Sequence, residues 1–326
     1  MQLPENLQLS IEKAISSYGL NHLITAREDL SERYRQGAQK NTLMDSDAHR
    51  TAYTLTRMPA TFAAVMKVFK AIQIQAPDLK IESLLDLGAG PGTASWAAQE
   101  TFEDLQTVTL VERDSALIQM GKKFMQENEK FNASHINWLT MDLKQSLTLP
   151  THDLVIFSYS IGELPSEVLP LLLEQAWQLT KKVLVIVEPG TPVGFEKIRF
   201  IRSQLLKLQA HLIAPCPHQN TCPMVGEDWC HFPARVERSS FHRLLKGGTL
   251  NYEDEKFSYI AATKEKFALP AARIVRYPLH RSGHTILTLC TSEGIQKPTI
   301  SKKTKEAYKE AKKADWGDTF SFKLNV

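Results

Sequence analysis

Residues 82–87, Glu-Ser-Leu-Leu-Asp-Leu, form a short apolar run that passes directly into Gly88-Ala89-Gly90-Pro91-Gly92 and then into the helical stretch Thr93–Thr101. Glycines at these positions let the backbone turn tightly and approach a ligand closely, and the following helix offers unpaired N–H groups to a carboxylate or phosphate. Strand, glycine loop and helix in this order belong to βαβ architecture. The chain continues in kind: strands are predicted at 82–87, 107–112, 135–140, 153–158 and 183–188, with helical patterns between them, as in a parallel sheet. Two later runs, 257–263 and 284–290, are expected to close that sheet as an antiparallel edge pair.

Two kinds of nucleotide ligand compete for such a loop. A dinucleotide fingerprint, G-x-G-x-x-G, would need its third glycine where Thr93 stands. The loop instead reads Asp86-x-Gly88-x-Gly90-x-Gly92, with an acid just before the turn. A carboxylate there suits a ligand bearing an amino group, as the methionine part of S-adenosylmethionine does, and repels a pyrophosphate. Glu112 ends the next strand, 20 residues after Gly92, where it can accept both ribose hydroxyls. Asp142 follows the third strand, where an acid commonly faces the adenine amino group. The expected fold is therefore α/β, a class I S-adenosylmethionine-dependent methyltransferase (Rossmann-like) core. Its expected cofactor-binding residues are Asp86, Gly88, Gly90, Gly92, Glu112 and Asp142.

A methyl-transfer apparatus is harder to read. Methylation of an exocyclic base nitrogen calls for an Asn/Asp-Pro-Pro-aromatic turn after the fourth strand, and the chain has Phe157-Ser158-Tyr159-Ser160 there. Methylation at pyrimidine C5 calls for a nucleophilic cysteine in that region or after strand five, and none is present. Asp153 and Glu163 are acid–base candidates, against the plainer reading that one opens a strand and the other lies in the next loop. Glu188-Pro189-Gly190 reads as the turn that ends the fifth strand. No catalytic residue is assigned, and enzymatic activity stays open.

Around the core, residues 1–76 read as a helical N-terminal region, with Leu7, Ile11, Ala14 and Ile15 at helical spacing and a last helix over Thr61–Ile72 that Pro59 precedes. The core is placed at 77–292, interrupted by 191–254, which is rich in Pro, Cys, His and Gly and has no clean period. Residues 293–326 are a basic tail: seven lysines between Lys297 and Lys313 face only Glu306 and Glu310, a local balance of +5 in a chain whose net charge is +3. That suffices to attract a polyanion. No apolar run reaches membrane-spanning length, and the N-terminus lacks a signal-peptide or Arg-rich transit pattern, so a cytoplasmic location and a monomer are expected.

All four cysteines lie beyond residue 215: Cys216, Cys222, Cys230 and Cys290. With no secretory signal, metal ligation is favoured over disulfides. Three would come from the irregular insertion and one from the end of a strand, so that a bound metal staples the insertion to the sheet. Zinc sites usually use tighter knuckles, whereas cubane clusters accept wider spacing with proline beside the ligands, as Pro217 and Pro223 are here. His218 and His231 could each replace a cysteine at zinc. Spacing leaves cluster and zinc level.

Leu30–Arg35 (LSERYR), Arg57–Ala60 (RMPA), the loop 85–92, Glu188–Gly190 with Gly194-Phe195, Cys216-Pro217-His218, Cys222-Pro223, Asp228–Phe232 (DWCHF) and Trp316-Gly317-Asp318 together resemble the methyltransferase-like assembly factors of the small ribosomal subunit, the mitochondrial Rsm-type proteins and their bacterial relatives. The resemblance spans nearly the whole chain. It implies a [4Fe–4S] cluster held by Cys216, Cys222, Cys230 and Cys290, with zinc as the alternative, and contact with small-subunit rRNA in an assembling 30S-type particle. It implies methyl transfer only through the fold. In that setting Lys297–Lys313, with Tyr308 and Trp316, could track an RNA backbone and stack on exposed bases.

Overall fold

A computed structural model describes residues 1–15, 18–35, 44–126, 128, 131 and 135–321; the side chains of Ile15, Tyr34 and Arg35 lie outside the described part. The predicted strands form at nearly the expected places: β1 Ser83–Leu87, β2 Thr107–Glu112, β3 Ile136–Thr140, β4 His152–Ser158 and β5 Thr180–Pro189. Their central residues, Leu84-Leu85, Leu154–Phe157 and Val183–Val187, are buried on both faces, which is why they read as continuous apolar runs rather than alternating ones. The sheet continues through β6 His211–Ala214, β7 Phe232–Glu237 and β8 Tyr252–Thr263. Its order is β3-β2-β1-β4-β5-β8-β6, with β7 also paired to β8. The five N-terminal strands are parallel, and β8 runs antiparallel to β5, β6 and β7. This order, with its antiparallel strand beside β5, is the class I methyltransferase arrangement.

Helices cover both faces. On one lie α3 Asp47–Gln75, α4 Thr93–Thr101 and α5 Ser115–Gln126; on the other lie α6 Leu169–Leu179 and α7 Pro192–Lys207. The N-terminal helices α1 Glu5–Ile15 and α2 Leu20–Arg35 add Leu7, Ile11 and Leu23 to the first face. Among the described residues, no helix is long and apolar enough to cross a membrane.

Three expectations change. First, the last N-terminal helix does not start after Pro59: α3 runs through it for 29 residues. Burial from Thr51 to Ile72 holds the helix together where the proline removes one internal hydrogen bond. Second, much of 191–254 is regular. It includes α7, β6, β7 and the short helix α8 Ser240–Lys246, and only the stretch between β6 and β7 lacks repeating structure. The signal in α7 was present, since Phe195, Ile198, Ile201 and Leu205 form one buried stripe after Pro192 in the first turn. Third, the run 284–290 does not pair with 257–263. It splits into β11 His284–Ile286 and β12 Leu289–Thr291, which belong to a separate C-terminal unit.

That unit has a three-stranded sheet, β10 Leu279–Arg281 with β11 and β14 Thr299–Ser301, and a four-stranded one, ordered β13 Gly294–Gln296, β12, β9 Ala272–Ile274 and β15 Thr319–Phe320. The basic tail is thus folded. Helix α9, Lys305–Lys313, packs Ala307 and Ala311 against Leu287, Leu289, Ile300 and Phe320. All seven lysines from Lys297 to Lys313 remain exposed.

Candidate functional sites: the loop cleft and the cysteine cavity

Strand order reverses at β1, between β2 and β4, and the glycine loop sits at the carboxyl end of β1, where open α/β sheets bind ligands. The amides of Gly88 and Ala89 both donate to the Val111 carbonyl, at 2.9 and 3.0 Å, which pins the loop to β2. Gly88 has φ +75°, and a Cβ there would stand 2.4 Å from Ser160 Cβ, so only glycine allows the loop to lie under the segment after β4. At Gly90 the equivalent space is open.

A cleft of about 520 Å³ opens above this loop and brings together Gly88, Gly90, Glu112 and Asp142. Gly92 instead sits in the left-handed conformation at the start of α4, behind the cleft wall. Glu112 is held by three backbone amides: Gly90 N–H donates to Oε2 at 2.9 Å, and Arg113 and Asp114 N–H donate to Oε1 at 2.8 and 2.9 Å. Its carboxylate is oriented before any ligand arrives, and Oε2 keeps an acceptor site free for a hydroxyl. Asp142 lines the cleft and accepts from its own Lys144 N–H at 2.9 Å.

Asp86 stands elsewhere. It is 0% exposed, lies beneath the loop rather than on the cleft wall, and accepts from Ser95 Oγ at 3.0 Å. Its Oδ1 has no partner, and burial raises its pKa to about 7. Its place in the structure is that of a loop anchor, tying β1 to α4, because its side chain points toward Ser95 of the helix layer rather than to solvent.

Helix α3 supplies two cleft residues, Arg50 and Tyr53, that the sequence reading did not single out. Arg50 and Tyr53 line the cleft, and Arg50 Nε donates to Asp114 Oδ2 at 2.8 Å. Arg57 lies one turn further along the same stripe and grips Glu255 of β8 with both Nη atoms, at 3.1 and 2.9 Å. Tyr159 Oη donates to the same carboxylate at 3.1 Å. Tyr159 follows β4 with φ +58°, a conformation that non-glycine residues seldom adopt. Positions 50, 53 and 57 share one helical face, a polar stripe on an otherwise buried helix, and that spacing was the available signal. Glu188, which read as part of a turn, is 1% exposed at the end of β5 and accepts from Gly162 N–H at 3.2 Å. Burial raises its pKa to about 7 against the pull of Lys197.

Of the acid–base candidates, Asp153 lies at the far end of β4, accepting from Glu82 N–H at 2.9 Å and facing Lys182 at 3.4 Å, a structural role. Glu163 does line the cleft, 3.6 Å from Arg113. The cleft therefore carries Glu112, Asp114, Asp142 and Glu163 against Arg50 and Arg113, a lining that favours a cationic ligand.

The second site is a small, apolar cavity of about 40 Å³ between α7, β8 and the C-terminal unit, and Cys216, Cys222, Cys230 and Cys290 all line it. On the scale on which one water needs about 10–15 Å³ it exceeds a single water. Cys216 and Cys222 come from the stretch between β6 and β7, Cys230 from just before β7, and Cys290 from β12. Burial raises the Cys222, Cys230 and Cys290 thiols, Cys290 to about 12, with each neighbouring thiol adding to the rise. Among the described residues, no three His, Cys, Asp or Glu side chains converge as they would on one metal ion. The four cysteines line one void rather than meet at a single point.

His218 lines the same cavity with Nε2 3.6 Å from Cys290 Sγ, whereas His231 stacks on Trp229 and meets Trp316 edge-on. Trp316, expected to be free for base stacking, is 6% exposed and serves this packing instead. Hydrogen bonds connecting the cysteine stretch to the core include Trp229 Nε1 to the Gly190 carbonyl at 2.9 Å and Ser258 Oγ to the Cys230 carbonyl at 2.7 Å.

The chain is 26% identical over 287 residues to the human ribosome assembly protein METTL17, mitochondrial, covering 82% of this chain and 61% of that protein. It is 28% identical to the Schizosaccharomyces pombe Rsm22-cox11 tandem protein 2, mitochondrial, covering 88% of this chain and 45% of the other. The chain thus spans about half to three-fifths of the length of these relatives. A solved structure of magnesium protoporphyrin IX methyltransferase from Synechocystis PCC 6803 matches at 13% identity and a TM-score of 0.42, over 72% of this chain and 90% of that one, and adds nothing to the topology above. The family described as mitochondrial small ribosomal subunit Rsm22 matches residues 47–321, taking in the loop cleft, the cysteine cavity and the C-terminal unit alike, and the chain belongs to that family.

Proposed function

We propose that this chain is an assembly factor of the small ribosomal subunit. In this reading it binds S-adenosylmethionine in the loop cleft, holds a [4Fe–4S] cluster on Cys216, Cys222, Cys230 and Cys290, and contacts small-subunit rRNA in a 30S-type particle through its basic C-terminal unit. The observation that carries the reading is that all four cysteines of the chain, three from the stretch between β6 and β7 and one from β12, line one cavity at the seam between core and C-terminal unit. A cluster there would deprotonate the thiols and join the two parts. The acidic cleft, the pre-oriented Glu112 and the open space at Gly90 suit the sulfonium and ammonium of S-adenosylmethionine. Exposed lysines on α9 and the loops beside it suit a phosphate backbone.

The test is anaerobic purification with iron and sulfide analysis, coupled to crosslinking to small-subunit rRNA. Visible absorption that is lost in Cys216→Ser and Cys222→Ser, together with weaker rRNA binding, supports the reading. Colourless protein containing stoichiometric zinc overturns the cluster. The cleft also favours a second reading, methyl transfer to rRNA or a ribosomal protein. Labelled methyl transfer to immature subunits by the wild type, absent in Gly90→Arg, supports it, and equal labelling by the two rules it out.

A further inference from the structure

Two arginines meet at the cysteine cavity without a negative partner. Arg202 of α7 is 5% exposed and Arg273 of β9 is 4% exposed, and both line the cavity. Arg202 donates from Nη2 to the carbonyls of His218 and Asn220, at 3.2 and 2.5 Å, and from Nε to Cys216 Sγ at 3.4 Å. Arg273 donates from Nε to the Pro215 carbonyl and from Nη1 to the Gly317 carbonyl, each at 2.8 Å, while its Nη2 is buried with no partner. Arg273 also stands directly opposite Cys290 in the β9–β12 pairing. Among the described residues, neither guanidinium pairs with a carboxylate. A buried arginine is always charged, and leaving it without a counter-ion is costly. Two such residues on opposite sides of one cavity indicate that the occupant is an anion.

We infer that Arg202 and Arg273 are the counter-charges of the group held by the four cysteines, balancing its thiolates and raising its reduction potential. The inference rests on the cluster reading. Four thiolates around a [4Fe–4S] core in its 2+ state carry a net charge of −2, which two guanidiniums neutralise; adding one electron makes it −3, and nearby positive charge favours that step. The unpartnered Nη2 of Arg273 is a donor available to a thiolate or a cluster sulfide.

The experiment compares anaerobically purified wild type with Arg202→Met and Arg273→Met, which replace the apolar stem of the side chain and remove its charge, and with Arg202→Lys and Arg273→Lys, which keep the charge. Iron and sulfide per chain, and the midpoint potential from a mediated titration followed by absorbance, are read for each. The expected result is a tenfold change in the one-electron reduction equilibrium, about 59 mV toward more negative potential, in each Met variant that loads, with the Lys variants close to wild type. Where a Met variant with native circular dichroism fails to load, the expected result is rescue of loading by Lys. Iron-loaded Met variants with wild-type potential, or Lys variants as defective as Met, overturn the inference. Iron-free wild type overturns the cluster reading itself, and this inference with it, an outcome distinct from a loaded wild type with indifferent arginines.

Discussion

Replacing Asp86 with Asn should stabilise the protein, and only above a definable pH. Asp86 is wholly buried, one oxygen accepts from Ser95 Oγ and the other has no partner, and burial raises its pKa from 3.8 to about 7. Unfolded, the group loses its proton near 3.8; folded, it keeps it until about 7. Between those values the folded state binds the extra proton, so stability falls as pH rises through the window and levels off above about 7. At about 1.36 kcal/mol for each pH unit, the full loss is about 4 kcal/mol. Asparagine keeps the acceptor toward Ser95 and cannot ionise, so it escapes this loss. Urea denaturation of both proteins without cofactor, at pH 5, 6, 7 and 8 and constant ionic strength, isolates the effect, because groups common to both cancel in the difference. The asparagine variant should gain about 2–3 kcal/mol on the wild type from pH 5 to pH 8, most of it below pH 7. A difference that stays constant with pH refutes the placement of a protonated carboxyl beneath the loop.

Gly88→Ala should cost roughly 1–3 kcal/mol, because it combines φ +75° with a Cβ 2.4 Å from Ser160 Cβ, and thermal unfolding with ligand titration should show lower stability and a distorted cleft. Arg57→Met strands the largely buried Glu255 carboxylate and should cost about 2–3 kcal/mol, less than a fully buried pair since Arg57 is partly exposed. Adding Glu255→Gln should recover most of that in a double-mutant cycle, and a purely additive pair would contradict the coupling. Changing Lys305, Lys309, Lys312 and Lys313 to Gln should weaken rRNA binding and reduce its log–log salt slope by roughly 3, at about 0.7–0.9 per phosphate contact, as read from filter binding at several salt concentrations. An unchanged slope places the RNA on another surface.

The sheet could be read from the chain because β1, β4 and β5 are buried on both faces and so appear as unbroken apolar runs ending in turn signals. Of the closing strands, only the second half of β8, 257–263, could be read in this way. Strand β8 serves two sets of neighbours: Tyr252–Phe257 pairs with β7, and Phe257–Thr263 pairs with β5 and β6, so its first half alternates with exposed charges and hides the strand. The C-terminal sheets are built from strands of two or three residues, too short to set a period. At the cleft, Gly88, Gly90, Glu112 and Asp142 were legible because sequence-local elements place them, whereas Arg50 and Tyr53 reach it only through the docking of α3 on the sheet. The same holds for Arg202 and Arg273, which no local pattern connects to the cysteines.

Cleft and cavity share one piece of backbone. Glu188 closes the floor behind the Gly162 turn, and two residues later the Gly190 carbonyl accepts from Trp229, the neighbour of Cys230. Gly194 permits this, since a Cβ there would come within 2.0 Å of the Pro189 carbonyl oxygen and push α7 off the turn. Strand β8 makes the second connection, with Glu255 holding Arg57 and Tyr159 on the cleft side and Ser258 holding the Cys230 carbonyl on the other. A group bound by the cysteines would stiffen the Trp229–Cys230 segment and, through these two hydrogen bonds, the strand ends that carry Glu188 and Glu255. Tyr159, at positive φ with its hydroxyl committed to Glu255, ties the segment after β4 to the same strand. Loop cleft and cysteine cavity are therefore connected through β5 and β8, so that ordering one side acts on strand ends that the other side shares.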